Sequence, residues 1–415
     1  MNPDYDKLLA NLPKGWTFDR LKDIVHLRNE KTSEASETED YLELEDIESG
    51  TGRILNKRNT MEVVSDITLF KKGDVLFGKL RPYLEKYYLT EFDGKCTGEI
   101  LAFQPQGIAS GFLRYCIASS WFIERCNILA YGAKMPRVNW PTQLAQFNIP
   151  LPPLPEQERI AAYLDKSCTA IDAAVSAKRR QIETLDKLQQ LFITKAITRG
   201  VEESVKLKDS GIEGLGLIPH HWRRTKLRHE VAISNGDFIS DKLEDDGIYP
   251  VIGGNGQMGR TSGYNTDGEI VVVGRVGANC GNAHYVKGRA WISDNALVVH
   301  SNHDKRFLMH LFRSLDFNSM ARRTAQPLIT STQIKNTYVA LPKIDEQVHI
   351  VDFIQKQITH FEELRNNLVK QIDTLVAYRK SLIHECVTGQ RRITEADVAR
   401  VYRGESESVR QSAVA

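Results

Sequence analysis

The chain has 415 residues, 41% of them hydrophobic and 26% charged, with a net charge of +2. That length calls for two to four compact units and that composition for an ordinary globular protein; the near-neutral balance exerts no general pull toward nucleic acid. No apolar run reaches membrane-spanning length and the opening MNPDYDKLLANLPKGW has no basic-then-apolar leader, so a cytoplasmic protein is expected. Six cysteines (Cys96, Cys116, Cys126, Cys168, Cys280, Cys386) form no C-x-x-C pair. Reduced, mostly buried thiols are expected, with neither zinc nor a disulfide framework.

In chain order, LPKGW opens a first domain expected over 1–150. Residues 34–48 are strongly acidic, whereas residues 51–90 hold eight Lys or Arg against four acids. GDVLFGKL (73–80) predicts a strand and GFLRYCIASSWFIERC (111–126) a helix. A short helix is expected at Thr142-Gln143-Leu144. The segment PLPPLPEQERI (150–160) then leads into a stretch without proline.

From Leu164 the apolar positions alternate four and three: Leu164, Cys168, Ile171, Val175, Ile182, Leu185, Phe192, Ala196, interrupted by Lys178 and Gln189. Such a seam predicts a coiled-coil helix of about forty residues, roughly 60 Å long, over 151–200. Pro155 and Glu156 suit its start and Gly200 its end. A linker is expected at 201–217.

A second domain, expected over 218–340, opens with IPHHW. GEIVVVGRV (268–276) predicts a strand, WISDNALVV (291–299) a half-buried one, and RFLMHLFRSL (306–315) a helix. Residues 305–335 hold six basic groups against one acid. The boundary returns as ALPKIDEQVHI (340–350), and a second seam follows over 341–390: Ile354, Ile358, Phe361, Leu368, Ile372, Leu375, Leu382, Cys386, interrupted by Arg365 and Arg379. In the tail, 391–415, ITEADVARVYRG predicts a capped helix and the rest disorder.

The chain is therefore a tandem repeat. Shifted by 190 positions, Leu151-Pro152 meets Leu341-Pro342, Glu156-Gln157 meets Glu346-Gln347, and Thr184-Leu185 meets Thr374-Leu375. At slightly different shifts Trp16 meets Trp222 and Gly78-Lys79 meets Gly274-Arg275. A lone helix cannot bury one apolar seam, and the other copy is the nearest partner. The expected fold is mixed α/β (α+β): two globular domains separated by two long antiparallel coiled-coil helices, related as a pseudo-two-fold repeat. Packing of each helix on its own domain is the alternative.

Gly254, Gly256 and Gly259 satisfy G-x-G-x-x-G, but RTSGYNTDG follows where a dinucleotide site needs a helix; a surface loop is expected. No P-loop, N-P-P-[YF] tetrapeptide, H-E-x-x-H or G-x-S-x-G occurs. His300 and His303 share a polar stretch without a third ligand and read as surface groups. What remains suits bases and phosphates. The first half offers Lys79, Arg81, Tyr83, Lys86, Tyr87, Tyr88, Lys134, Arg137 and Asn139. The second offers Arg260, Arg275, Asn279, Asn282, His284, Arg322, Arg323 and Gln326.

With LPKGW and IPHHW opening the domains, GDVLFGKLRPYL, the linker KDSGIEGLGLIPHHW and the doubled Leu-Pro boundary, the chain resembles a specificity subunit of a type I restriction–modification enzyme. The resemblance implies two target-recognition domains, each reading half of an asymmetric, split double-stranded DNA site. It implies assembly with two modification subunits and with restriction subunits, and no catalysis by this chain. S-adenosylmethionine, ATP and magnesium are then expected in the partners, with no cofactor or metal held here. Two other readings stay open: a scaffold of the same shape without sequence-specific DNA binding, and an enzyme using the Gly254–Gly259 loop.

Overall fold

The computed structural model describes residues 12–32, 40–59, 67–202, 204–239, 243–277, 280–315, 317–320 and 327–404. It divides into two compact units, Met1–Arg179 with Val369–Ala415, and Arg180–Leu368. Both divisions fall inside long helices, Leu154–Arg199 and Ile344–Val387, of 46 and 44 residues. At 1.5 Å per residue these measure about 69 and 66 Å, longer than the apolar seam alone indicates.

Within each unit the two helix segments run antiparallel and share an apolar face. In the first, Leu164, Cys168, Ile171 and Val175 join one core with Leu382, Cys386 and Val387, and Ile372 and Leu375 pack against it half-buried. In the second, Phe192 stacks on Phe353 and Phe361 (ring centroids 5.7 and 6.3 Å), beside buried Ile354. Ile182, Leu185 and Leu368 are half-buried. The two expectations for these helices are both met. The same cores include Phe112 and Leu113 in the first unit, Phe307 and Leu308 in the second. A seam is too narrow to hold a 46-residue helix by itself; each half also packs on a globular domain.

Each domain begins and ends in one antiparallel pair. Thr17–Arg20 lies on Asn148–Leu151, and Arg223–Lys226 lies on Tyr338–Leu341. Each contains a four-stranded sheet: Val25–Leu27, Ile100–Pro105, Val75–Gly78, Tyr87–Leu89 in the first, and Ala232–Asn235, Ala296–His300, Glu269–Gly274, Ala283–Lys287 in the second. The first adds a five-stranded sheet and the second a three-stranded one, so the frames match and the additions differ.

The repeated boundary has a mechanical reason. Gln157 and Gln347 are buried in the first turns of the two helices. Each uses its amide to bond a proline carbonyl just upstream and the backbone N–H that begins a domain helix. At the other helix ends, Gly200 and Gly389 take left-handed backbone (φ 74° and 76°); a side chain at Gly389 would also collide with Pro13 and crowd Trp16.

Several expectations need correction. Residues 111–126 form two helices, Ser110–Ala118 and Ser120–Leu129, because Ser119 is extended (ψ 147°). Residues 291–299 form two strands, Trp291–Ile292 and Ala296–His300, and Ala296–Val299 are buried on both faces. Part of the linker 201–217 is paired, Leu207–Asp209 on Leu217–Pro219. The tail is partly core. Ile393 is buried in the first unit, and the helix Glu395–Tyr402, capped by Thr394 and Asp397, packs Val398 and Val401 against it. The disorder expected beyond it lies outside the described residues. All six cysteines are buried and free.

Candidate nucleic-acid interface

The sequence places basic and polar candidates after the strands Val75–Gly78 and Glu269–Gly274, and most backbone hydrogen bonds of the described residues there recur in both units. Lys79 N–H donates to Glu99 O (3.0 Å) and Arg275 N–H to Asn295 O (2.9 Å). Val138 and Ile329 N–H donate back to the carbonyls of Lys79 and Arg275 (3.1 and 3.0 Å). Arg81 N–H reaches Pro136 O (2.7 Å), and Gly277 N–H reaches Pro327 O (3.0 Å). Each loop then closes on its third residue: Leu84 N–H to Arg81 O (2.9 Å), Cys280 N–H to Gly277 O (3.0 Å). Gly78 N–H and Gly274 N–H finish the turn on Lys86 O and Asn282 O. Among the described residues, 79–86 and 275–282 follow one loop frame, built twice.

This loop needs left-handed backbone at two places. The second unit supplies glycine at both, Gly277 (φ 87°) and Gly281 (φ 88°), whereas the first has Arg81 and Glu85, each at φ 50°. They are the only non-glycine residues with positive φ among those described. Each costs about 1–2 kcal/mol relative to ordinary backbone.

The candidate side chains separate into occupied and open groups. Arg137 is held by Glu99 (3.0 Å), which raises its pKa. Lys86 is partly buried, donates to Ile47 O, and is pushed below the usual lysine range by that burial. Asn139 accepts from Thr142 N–H (3.1 Å) as a turn cap. Arg260 donates to the carbonyls of Gly247 and Ile248 (both 2.6 Å) and braces a loop. Tyr87 and Tyr88 are core residues, offering no face for base stacking. Their strand is short and covered on both sides, which the run KYYL does not reveal.

Tyr83 (53% exposed), Lys134 and Asn282 are open to solvent, and Lys79 and Arg275 are half-buried. Arg81 Nη2 donates to Lys134 O (3.3 Å), while its Nε is enclosed without a partner. Asn282 and His284 line a 260 Å³ cavity with Gln190 and Arg313. Burial and the Arg313 charge hold the His284 imidazole below its usual pKa. Asn279, Arg322, Arg323 and Gln326 lie outside the described residues.

The other motifs resolve differently. Gly256 and Gly259 lie in the strand Gly256–Thr261, which pairs with Tyr249–Gly253 as a hairpin. No helix follows to aim N–H groups at a pyrophosphate. His303 is not a surface group. It sits 2.9 Å from Glu230 and accepts from Gln347 (2.8 Å), joining the second domain to its helix.

Comparison with known proteins agrees with these features. A family model described as the type I restriction modification DNA specificity domain matches residues 13–184 and again 221–374. The specificity subunit of the Escherichia coli type I enzyme EcoprrI is 29% identical over 173 residues, 41% of either chain. That of EcoDI is 24% identical, matched over 43% of its length. The chain thus spans about two fifths of these E. coli relatives. The specificity subunit of the Methanocaldococcus jannaschii enzyme MjaVIII is 22% identical, covering 92% of this chain and 94% of that one. In fold, the chain resembles one in a solved structure of an assembled type I restriction–modification system (TM-score 0.71, 19% identity, 92% and 100% covered). It also resembles the HsdS subunit of Thermoanaerobacter tengcongensis (TM-score 0.55, 17% identity, 92% and 98% covered). With two copies of the domain covering most of its length, the chain belongs to the type I restriction–modification DNA specificity family.

Proposed function

We propose that this chain is the non-catalytic specificity subunit of a type I restriction–modification complex, and that each unit reads one half of an interrupted, asymmetric duplex target. The observation that carries this reading is the loop built twice. One loop frame carries Lys79, Arg81 and Tyr83 in the first unit and Arg275 and Asn282 in the second. A shared frame with different side chains is what two half-sites of different sequence require. Modification subunits, and with them restriction subunits, are the partners this role needs. S-adenosylmethionine, ATP and magnesium would belong to those partners, and the complex would work beside cytoplasmic DNA.

Methylation sequencing of a host carrying the system, repeated after residues 1–148 are exchanged for another family member's first domain, tests the reading. A split adenine-methylated motif should appear, and the exchange should change one half while the other stays. If both halves change, or neither does, the two units are not independent readers.

A further inference from the structure

The two left-handed residues of the first-unit loop differ in what explains them. Glu85 has a partner within its own unit: Lys380 Nζ, on the second long helix, lies 2.5 Å from its carboxylate. Its carbonyl also accepts from Gly50 N–H (3.0 Å). That carboxylate ties the loop to the helix, a sufficient reason for glutamate where the other unit has Gly281. Arg81 has no such explanation. Its guanidinium makes one 3.3 Å contact to a backbone carbonyl, forms no ion pair among the described residues, and leaves an enclosed Nε unpaired. Glycine would build the same turn without strain, as Gly277 does. Strain at a position whose side chain makes a single long hydrogen bond within the fold points to a ligand.

We propose that Arg81 grips a backbone phosphate of the duplex at the first half-site, and that the second unit has no equivalent grip at Gly277. The proposal rests on the DNA-reading function above. Lys79 and Lys134, likewise without ion-pair partners among the described residues, flank it in sequence and through the Arg81–Lys134 contact. An unpaired guanidinium among lysines suits a phosphate, whose oxygens accept from several N–H groups at once. A phosphate contact sets position and affinity without choosing a base.

The test uses the full chain assembled with modification subunits, and two duplexes, one carrying the methylated target and one scrambled. Arg81→Gly should melt at or above the wild-type temperature. It should bind both duplexes about tenfold more weakly and lower the slope of log affinity against log salt by about one. Arg81→Gln, which keeps the strained backbone, should lose the same affinity without the gain in melting temperature. The proposal is overturned if Arg81→Gly keeps wild-type affinity and salt slope, if it loses affinity for the target duplex alone, or if it melts lower. Should the wild-type complex show no preference for the target duplex, the DNA-reading function fails instead.

Discussion

Arg379, on the second long helix, lies 3.0 Å from Asp172 on the first, and both side chains are nearly removed from water (10% and 12% exposed). The Nε is poorly aligned for a hydrogen bond with that oxygen, yet the charges are paired, and Arg379 also donates to Gly50 O (2.8 Å). Burial alone would lower the guanidinium's pKa; Tyr87, Cys168 and Asp172 act the other way and hold it above the usual value. Removing Arg379 leaves Asp172 only the exposed Arg53, 3.0 Å away, as an ion-pair partner among the described residues. Arg379→Met should therefore destabilise the first unit by about 3 kcal/mol, and adding Asp172→Leu, itself destabilising alone, should recover much of that. Urea unfolding of the four proteins measures the coupling. Additive losses would show that the pair does not fix the helix register.

Gln157 and Gln347 should each be needed by their own unit. Each satisfies a buried proline carbonyl and a backbone N–H, at 2.8 and 2.8 Å for Gln157 and 3.0 and 3.2 Å for Gln347. A leucine at either place leaves both backbone groups unpaired, at a cost of about 2 kcal/mol or more. Hydrogen exchange should speed up at Ala109 in Gln157→Leu and at Asp304 in Gln347→Leu. Exchange that speeds up equally in both units would contradict this local role.

At the loop built twice, Gly277→Ala should destabilise the second unit by about 1 kcal/mol. There is open space for a methyl group, but the backbone at φ 87° disfavours one. A thermal melt decides it; an unchanged midpoint would mean that the loop readily adopts another conformation.

Acid should weaken the second unit through His310. Burial, with Arg313 nearby, pushes this imidazole down to about 4, with Asp304 opposing. The folded protein therefore keeps it neutral, while the unfolded chain takes up a proton near pH 6.5. Its contribution is complete above that pH and is lost as pH falls toward 4, up to about 3 kcal/mol. Urea midpoints across this window should fall less steeply in His310→Gln. Parallel curves would place the titrating group elsewhere.

Modification subunits should dock on apolar groups that the helix pair leaves uncovered. On the first long helix Leu188 and Leu191 are exposed, the latter by 67%, whereas Leu185 is half-buried in the seam. Leu188→Asp with Leu191→Asp should leave the melting temperature within a few degrees of wild type and abolish co-purification of the modification subunit. Leu185→Asp should lower stability itself. Retention of both modification subunits by the double variant would move the docking surface away from this stretch.

The helices and the repeat were legible because they rest on periodicity. Five heptads and a doubled Leu-Pro boundary survive any error in single residues. The loop was half legible: Gly78-Lys79 against Gly274-Arg275 marks its start, and three further positions set Arg81 against Gly277. What the strings cannot show is that both positions need left-handed backbone, which hydrogen bonds to residues fifty positions away enforce. Nor can they show which cations are occupied. Arg137 finds Glu99 across 38 positions and Arg260 finds two carbonyls, while Lys79 finds none. Candidate residues chosen by type alone therefore mixed braces with open groups.

The division of the chain has a consequence for synthesis. The second unit is one continuous stretch, 180–368, but the first needs residues 1–179 together with 369–415. Leu164 and Ile171 have no Leu382 or Cys386 to pack against until the whole second unit has been synthesised. The unit begun before the second is completed after it. Until then it exposes an apolar helix face, so chains released early carry a finished second half and an unfinished first, and are the ones most open to proteases and to aggregation.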